Sequence, residues 1–261
     1  MDRPSRSRNR EECDAGGVTD RNLSRKLRLR LLKGILFDLD GVVADTEDLH
    51  RQAYNLTFEE AGVPVRWTEK DYRDRLLMSG GSKLRTIEIP AEIVGAESFL
   101  KGLYGRKRHF YLELLRTAPL PPRPGVVRLV TQALKAGVLL AAASTCAKEG
   151  ARAILERVLG DDLTARFKTV KAGDDAKKRK PAPDIYLLAI EGLGVSASRC
   201  VAIEDSRHGM LAAKAAGLWT LVTPSQYTRG DDFSEADLVV EDLDRGNIDP
   251  ETLDGRLSSL S

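Results

Sequence analysis

The run Ile35-Leu36-Phe37-Asp38-Leu39-Asp40-Gly41 constrains this chain more than any other stretch. An apolar run rich in branched residues and stopped by Gly reads as a buried strand entering a loop. Carboxylates at the carboxyl end of a parallel strand stand where open α/β sheets bind their ligands. If strand geometry carries through Asp40, the side chains of Asp38 and Asp40 share one side of the chain. Two carboxylates that close do not both ionise comfortably without a cation or a shared proton. The pair therefore asks for a metal, and hard oxygen ligands favour Mg²⁺. A plain surface turn or an EF-hand-like Ca²⁺ loop is the competing reading of Asp-x-Asp-Gly. The EF-hand fails, because the further oxygen ligands and terminal Glu are missing after Gly41.

Beyond this strand, apolar runs alternate with helical periodicity. Val138 to Ala143, Thr169 to Ala172, Cys200 to Ile203, Leu218 to Val222 and Leu238 to Val240 read as strands. Between them, residues 126–135, 148–159, 183–192 and 206–216 read as helices, with Gly217 placed to stop the last. Strands alternating with helices predict an α/β fold: a doubly wound parallel sheet with helices on both faces. Residues 49–61, 69–77, 83–87 and 97–115 carry only helical pattern and end at the proline-rich stretch Pro119–Pro124, a stiff connector. Residues 47–120 are thus expected to form a helical cap inserted into a core of residues 34–46 and 121–243. Such a cap is placed to cover the site and exclude water. Residues 244–261 are a C-terminal tail or a final helix.

Charge locates a different feature. Residues 1–33 hold ten of the 41 Lys and Arg and five of the 39 Asp and Glu, so the remainder is net −3 rather than +2. The basicity belongs to a tail expected to be disordered, and the folded body lacks a nucleic-acid-like excess. A secretory signal is excluded by the lack of an apolar core. An organelle transit peptide remains an alternative to a cytoplasmic location, although Glu11, Glu12, Asp14 and Asp20 stand against it. Leu27, Leu29, Leu31 and Leu32 alternate with basic residues and extend the first strand or form a short helix. No apolar stretch approaches the ~20 residues that span a bilayer. Cys13, Cys146 and Cys200 show no metal-type spacing and read as reduced thiols.

The other strand ends carry useful chemistry. Ser144-Thr145 offers hydroxyls and N–H groups to phosphate oxygens, or caps the following helix. Lys180 sits among Pro181 and Pro183, which restrict the backbone and aim its ammonium; a solvated basic loop is the alternative. Glu204-Asp205 follows a buried strand where further metal ligands are wanted, or Asp205 caps the helix after it.

In order, Asp-x-Asp-Gly, Ser/Thr, Lys-Pro and Glu-Asp resemble the haloacid dehalogenase superfamily of phosphotransferases over about residues 34–243. The resemblance implies Asp38 as the nucleophile that becomes an aspartyl phosphate, and Asp40 as general acid and base. It implies Ser144 and Lys180 as holders of the transferring phosphoryl group. Mg²⁺ would be held by Asp38, the Asp40 backbone carbonyl and Asp205, with Glu204 an alternative ligand or a group behind them.

Within the superfamily, Thr46-Glu47-Asp48-Leu49-His50-Arg51, Tyr72 and Gly80-Gly81 resemble the CbbY-like group, and its relative β-phosphoglucomutase shares the Thr and the His. Ser82 intervenes before Lys83, a mutase-like arrangement, whereas Glu47 is CbbY-like. Lys107 matches a cap lysine of both. The resemblance implies dephosphorylation of a sugar bisphosphate such as xylulose 1,5-bisphosphate, with Glu47, His50, Tyr72, Gly81, Lys83, Lys107 and Thr145 binding substrate beside Ser144 and Lys180. A sugar phosphomutase and a non-catalytic phosphosugar sensor are the alternatives. A monomer acting on a small-molecule phosphosugar, without nucleic acid or membrane partners, is expected. Trp67 and Trp219 read as packing, and His109 and His208 receive no role.

Overall fold

In the computed structural model, residues 29, 31–76, 78, 80–89 and 95–259 are described. The expected tail, Leu27, Leu77 and Cys13 lie outside the described residues, except that the tail's last residues do not. Leu32 is fully buried, and the backbone N–H groups of Leu31 and Leu32 both donate to Asp254 Oδ1 at 2.7 Å. Leu32 is therefore part of the core and residues 31–33 are tied to it, a correction to a tail ending at Lys33. They are neither strand nor helix: the first strand, β1, is Gly34–Phe37.

The remaining strands are β2 (Leu139–Ala143), β3 (Phe167–Lys171), β4 (Cys200–Glu204), β5 (Trp219–Val222) and β6 (Leu238–Val239). They form one sheet in the order β3-β2-β1-β4-β5-β6, every pairing parallel. This is the expected doubly wound fold, and its period-2 alternation explains both layers. Ile35, Phe37, Leu140, Ala142, Val201 and Ile203 face the helices α4 (Val126–Lys135), α5 (Lys148–Thr164) and α8 (Pro250–Ser258). Leu36, Ala141, Ala143 and Ala202 face α6 (Asp184–Leu193) and α7 (Arg207–Ala215). Each large aliphatic side chain fully removed from water contributes about 1.5–3 kcal/mol. Small alanines on the second face let α6 and α7 approach closely.

Local signals stop and start these helices, Gly217 as expected and Asp249 as a finding of the structure. After α7, Gly217 at φ 78° lets its own N–H reach Lys214 O and that of Leu218 reach Ala213 O, closing the last turn. Asp249 caps α8 by accepting from Thr252 N at 2.7 Å, with Pro250 in the first turn.

The segment expected to form a cap consists of α1 (Glu47–Glu60), α2 (Glu69–Arg73), a 3-10 helix (Gly80–Thr86) and α3 (Ala96–Thr117). Two predicted elements are corrected here. The helix expected over 69–77 ends at Arg73, and that expected over 83–87 is the 3-10 segment, whose two leading glycines weaken an α-helix. Tyr54, Phe58, Trp67, Tyr72, Leu84 and Leu103 form the cap's own apolar cluster. Buried Asn55 exchanges hydrogen bonds with the Trp67 backbone at 2.9 and 2.8 Å, pinning the α1–α2 loop. Trp67 and Trp219 are both buried packing residues. No helix among the described residues is long and apolar enough to cross a membrane.

Candidate active site

Strand order turns around β1 and β4, and ligands of open α/β sheets bind beyond the strand ends at such a switch point. The ladder runs through Asp38, whose N–H donates to Ile203 O at 3.0 Å, and then breaks. Gly41 at φ 81° turns the chain, and its N–H donates to Ala44 O at 2.8 Å. The turn points Asp38 and Asp40 to different partners.

Asp38 joins Glu204 and Asp205, each offering a carboxylate oxygen within 4.8 Å of the others. Lys180 Nζ lies 2.6 Å from both Asp38 Oδ1 and Glu204 Oε1, and donates to Ala143 O at 2.9 Å. The Tyr186 hydroxyl donates to Glu204 Oε1 at 2.5 Å. Burial first, and then the neighbouring acids, push the Asp38 carboxyl well above the usual range against the pull of Lys180. Burial and Glu204 likewise push Asp205 up. Burial works against the Lys180 charge, yet Asp38 and Glu204 hold that ammonium above its ordinary value. Three clustered buried carboxylates, two of them touching one ammonium, favour a further cation, and an all-oxygen set of this kind fits Mg²⁺.

Asp40 stands apart from that group. Its carboxylate accepts from Thr46 Oγ1 at 2.5 Å, Tyr111 Oη at 3.1 Å and Ser144 Oγ at 3.2 Å, with His50 Nε2 at 3.5 Å. Burial would raise it, but the His50, Thr46 and Tyr111 contacts hold it below the usual carboxylate range. The expectation that the two aspartate side chains share one side of the chain is thereby corrected: Asp38 meets Lys180, and Asp40 meets Thr46, Tyr111 and Ser144. Thr46 occupies the N-cap position of α1 but gives its hydroxyl to Asp40 instead.

The cap supplies the facing wall. His50 stacks on Tyr111 at 3.7 Å, and Lys107 Nζ lies 2.5 Å from His50 Nδ1. Burial lowers Lys107 to about 7. Burial and Lys107 together lower His50. Tyr72 Oη donates to Glu47 Oε2 at 2.8 Å. Buried Lys83 donates to Met78 O and sits 5.7 Å from the Tyr72 ring.

A single cavity of about 620 Å³ is lined by Asp38, Asp40, Glu47, His50, Tyr72, Lys83, Lys107, Thr145, Lys180 and Asp205. Of the remaining predicted residues, Ser144 and Glu204 are fully buried behind it, and Gly81 packs against Tyr104. Ser206, not Asp205, caps α7 by accepting from Gly209 N at 3.2 Å, so Asp205 is free of the capping alternative.

Sequence reasoning missed several groups. Tyr111 lies one helical turn after Lys107 on α3, a spacing that could have signalled a shared face. Tyr186 and Arg123 carry no comparable local signal. Tyr227, from the loop after β5, enters the cap's aromatic cluster and donates to Asp48 Oδ1 at 3.0 Å.

Gly41 yields a first test. A Cβ there would meet Asp205 Oδ2 at 2.2 Å, on a left-handed backbone. Gly41→Ala is expected to cost about 1–2 kcal/mol from the backbone alone and to weaken any response to divalent cation. Thermal melting and an Mg²⁺ titration check it. An unchanged midpoint for both would show that the turn tolerates a side chain.

A sequence model of the haloacid dehalogenase-like hydrolases matches residues 32–217. Protein CbbY of Rhodobacter capsulatus is 40% identical over 214 residues, spanning 81% of this chain and 94% of that protein. β-Phosphoglucomutase of Bacillus subtilis is 30% identical over 216 residues, spanning 80% and 89%. Among solved structures, a mutant of CbbY from Rhodobacter sphaeroides in complex with xylulose-(1,5)bisphosphate superposes with a TM-score of 0.74 at 34% identity, covering 81% of this chain and 94% of that one.

Proposed function

This chain belongs to the haloacid dehalogenase-like hydrolase family, and on that premise we propose that it is a Mg²⁺-dependent phosphatase of a sugar bisphosphate, working through an aspartyl phosphate on Asp38. The observation that carries the reading is the two-sided cavity. A buried acid group with one lysine forms its floor, and two further lysines, Lys83 and Lys107, stand on its cap wall. One end suits a transferring phosphoryl group and the other a distal phosphate.

Asp38 and Asp205, with the Asp40 backbone carbonyl, would hold Mg²⁺; Glu204 is turned toward Lys180 and Tyr186 and acts behind them. The ion supplies the positive charge that lets an anionic carboxylate approach an anionic phosphate. Asp38 attacks phosphorus, and the bond from phosphorus to the sugar oxygen breaks. Asp40 gives that oxygen a proton; an anionic phosphoryl group arriving beside Asp40 raises its proton affinity. Asp40 then takes a proton from the attacking water, and inorganic phosphate leaves with the Asp38 carboxylate restored. Lys180 offsets charge on the transferring oxygens. On the cap, Glu47 and His50 lie three residues apart on α1 and meet sugar hydroxyls from one side.

Xylulose 1,5-bisphosphate is the substrate favoured by the CbbY likeness. The order Ser82-Lys83 favours the mutase reading, in which a second sugar hydroxyl replaces water. Membership of a hydrolase family stands against the non-catalytic sensor. The test is a panel of pentose and hexose mono- and bisphosphates, with Mg²⁺ or EDTA, on wild type, Lys83→Ala and Lys107→Ala. Phosphate release is expected with Mg²⁺ and its loss with EDTA. Each variant should lose at least about tenfold in kcat/KM for bisphosphates and far less for monophosphates. An unchanged ratio would move the substrate to compact monophosphates. Glucose 6-phosphate formed from β-glucose 1-phosphate with trace bisphosphate and no net phosphate release would establish the mutase instead.

A further inference from the structure

We propose that Arg123 is a positioning residue for the metal ligand Asp205, acting through the two loops between which that carboxylate stands. The inference rests on the Mg²⁺ reading above and concerns a residue in the connector Pro119–Pro124, far in sequence from every motif. Arg123 is buried, and its guanidinium spends its donors on main-chain carbonyls. Nη1 donates to Gly41 O and, at 2.7 Å, to Thr223 O, while Nη2 donates to Pro224 O at 3.0 Å. The Arg123 backbone N–H also donates to Val43 O at 3.0 Å, and Asp45 Oδ1 lies 3.6 Å from Nε.

Both tied loops touch Asp205. On one side, Gly41 packs so closely that an added Cβ would lie 2.2 Å from Asp205 Oδ2. On the other, the chain leaving Pro224 reaches Ser225 and Thr228, whose side-chain oxygens lie 3.0 Å apart, and Thr228 Oγ1 donates to Asp205 Oδ2 at 3.2 Å. The guanidinium thus sets the width of the slot that holds the carboxylate. A planar fork of fixed donors can bridge carbonyls from two loops; the single ammonium of lysine spans them poorly. Arg123 touches neither cavity nor substrate, so its effect appears in how well the cation is held rather than in the chemical step.

The experiment measures Mg²⁺ binding directly by titration calorimetry on the full chain without substrate, alongside circular dichroism and steady-state rates across Mg²⁺ concentrations. In folded Arg123→Gln the Mg²⁺ dissociation constant should rise at least about tenfold, the range typical for groups that orient metal ligands. The kcat at saturating Mg²⁺ should return to within about threefold of wild type, as for a loss confined to binding. A dissociation constant within about twofold of wild type overturns the proposal, most plainly if kcat falls and no Mg²⁺ concentration restores it. Should Arg123→Gln fail to fold, Arg123→Lys is judged by the same two criteria. Wild type that takes up no Mg²⁺ would instead overturn the metal reading itself.

Discussion

Asp38→Asn is expected to remove turnover, lowering kcat by at least about 10³-fold in a preparation free of wild type. An amide oxygen is a poor nucleophile and a weaker ligand for a hard cation, so one atom exchange strikes both roles. The fold should survive the exchange, because Asp38 is a buried acid pushed above its usual range by burial and neighbouring acids. An amide relieves that crowding while still accepting from Lys180 Nζ. The diagnostic pattern is therefore an unchanged or raised melting temperature with lost phosphate release, and sugar phosphate binding retained in calorimetry. Near wild-type turnover would sink Asp38 as nucleophile.

Lys180→Met should damage stability as well as rate. Its ammonium bridges Asp38 Oδ1, Glu204 Oε1 and Ala143 O. Breaking a buried charge set by removing one partner costs about 3–5 kcal/mol, because the other charges stay buried and uncompensated. Each kcal/mol lowers the melting temperature by roughly 2–4 °C in a chain of this size. The pH dependence has a definite sign. Without Lys180 the Asp38 carboxyl, raised by burial and its acidic neighbours, binds a proton more readily folded than unfolded, so stability rises as pH falls. The variant's deficit should shrink as pH falls through the raised Asp38 titration toward the ordinary carboxylate range. Added Mg²⁺ should restore part of the stability by binding the folded state, but not the rate, which also loses the charge offset on the phosphoryl oxygens. A pH-independent deficit would mean that lost packing, not unpaired acid, is the cause.

Much of the architecture is legible in the sequence. The strands after residue 34 are short apolar runs bounded by turn residues, and helices lie between them because their apolar positions recur at helical spacing. Gly217 was readable as a helix stop because a left-handed residue there serves one local purpose. Legibility failed where the signal was weak or shared. Leu31 and Leu32 alternate with basic residues like a strand, yet their N–H groups find the distant Asp254 carboxylate rather than a neighbouring strand. The stretch after Arg73 has helical composition, but glycines at 80 and 81 leave only the tighter 3-10 turn.

The chain by itself determined which groups arrive at the carboxyl ends of the strands, since strand period and turn chemistry are local properties written in adjacent residues. Asp38, Ser144, Lys180, Glu204 and Asp205 follow from that alone. Only the tertiary structure decided which of them meet. Asp40, two residues from Asp38, is held by Thr46, Tyr111, Ser144 and His50, while Glu204 and Asp205, more than 160 residues away, share a point with Asp38. The same holds for Arg123 and Tyr186, whose partners come from other loops and strands. A contact between distant segments depends on sheet order and on the turn at Gly41, and no window of neighbouring residues encodes either.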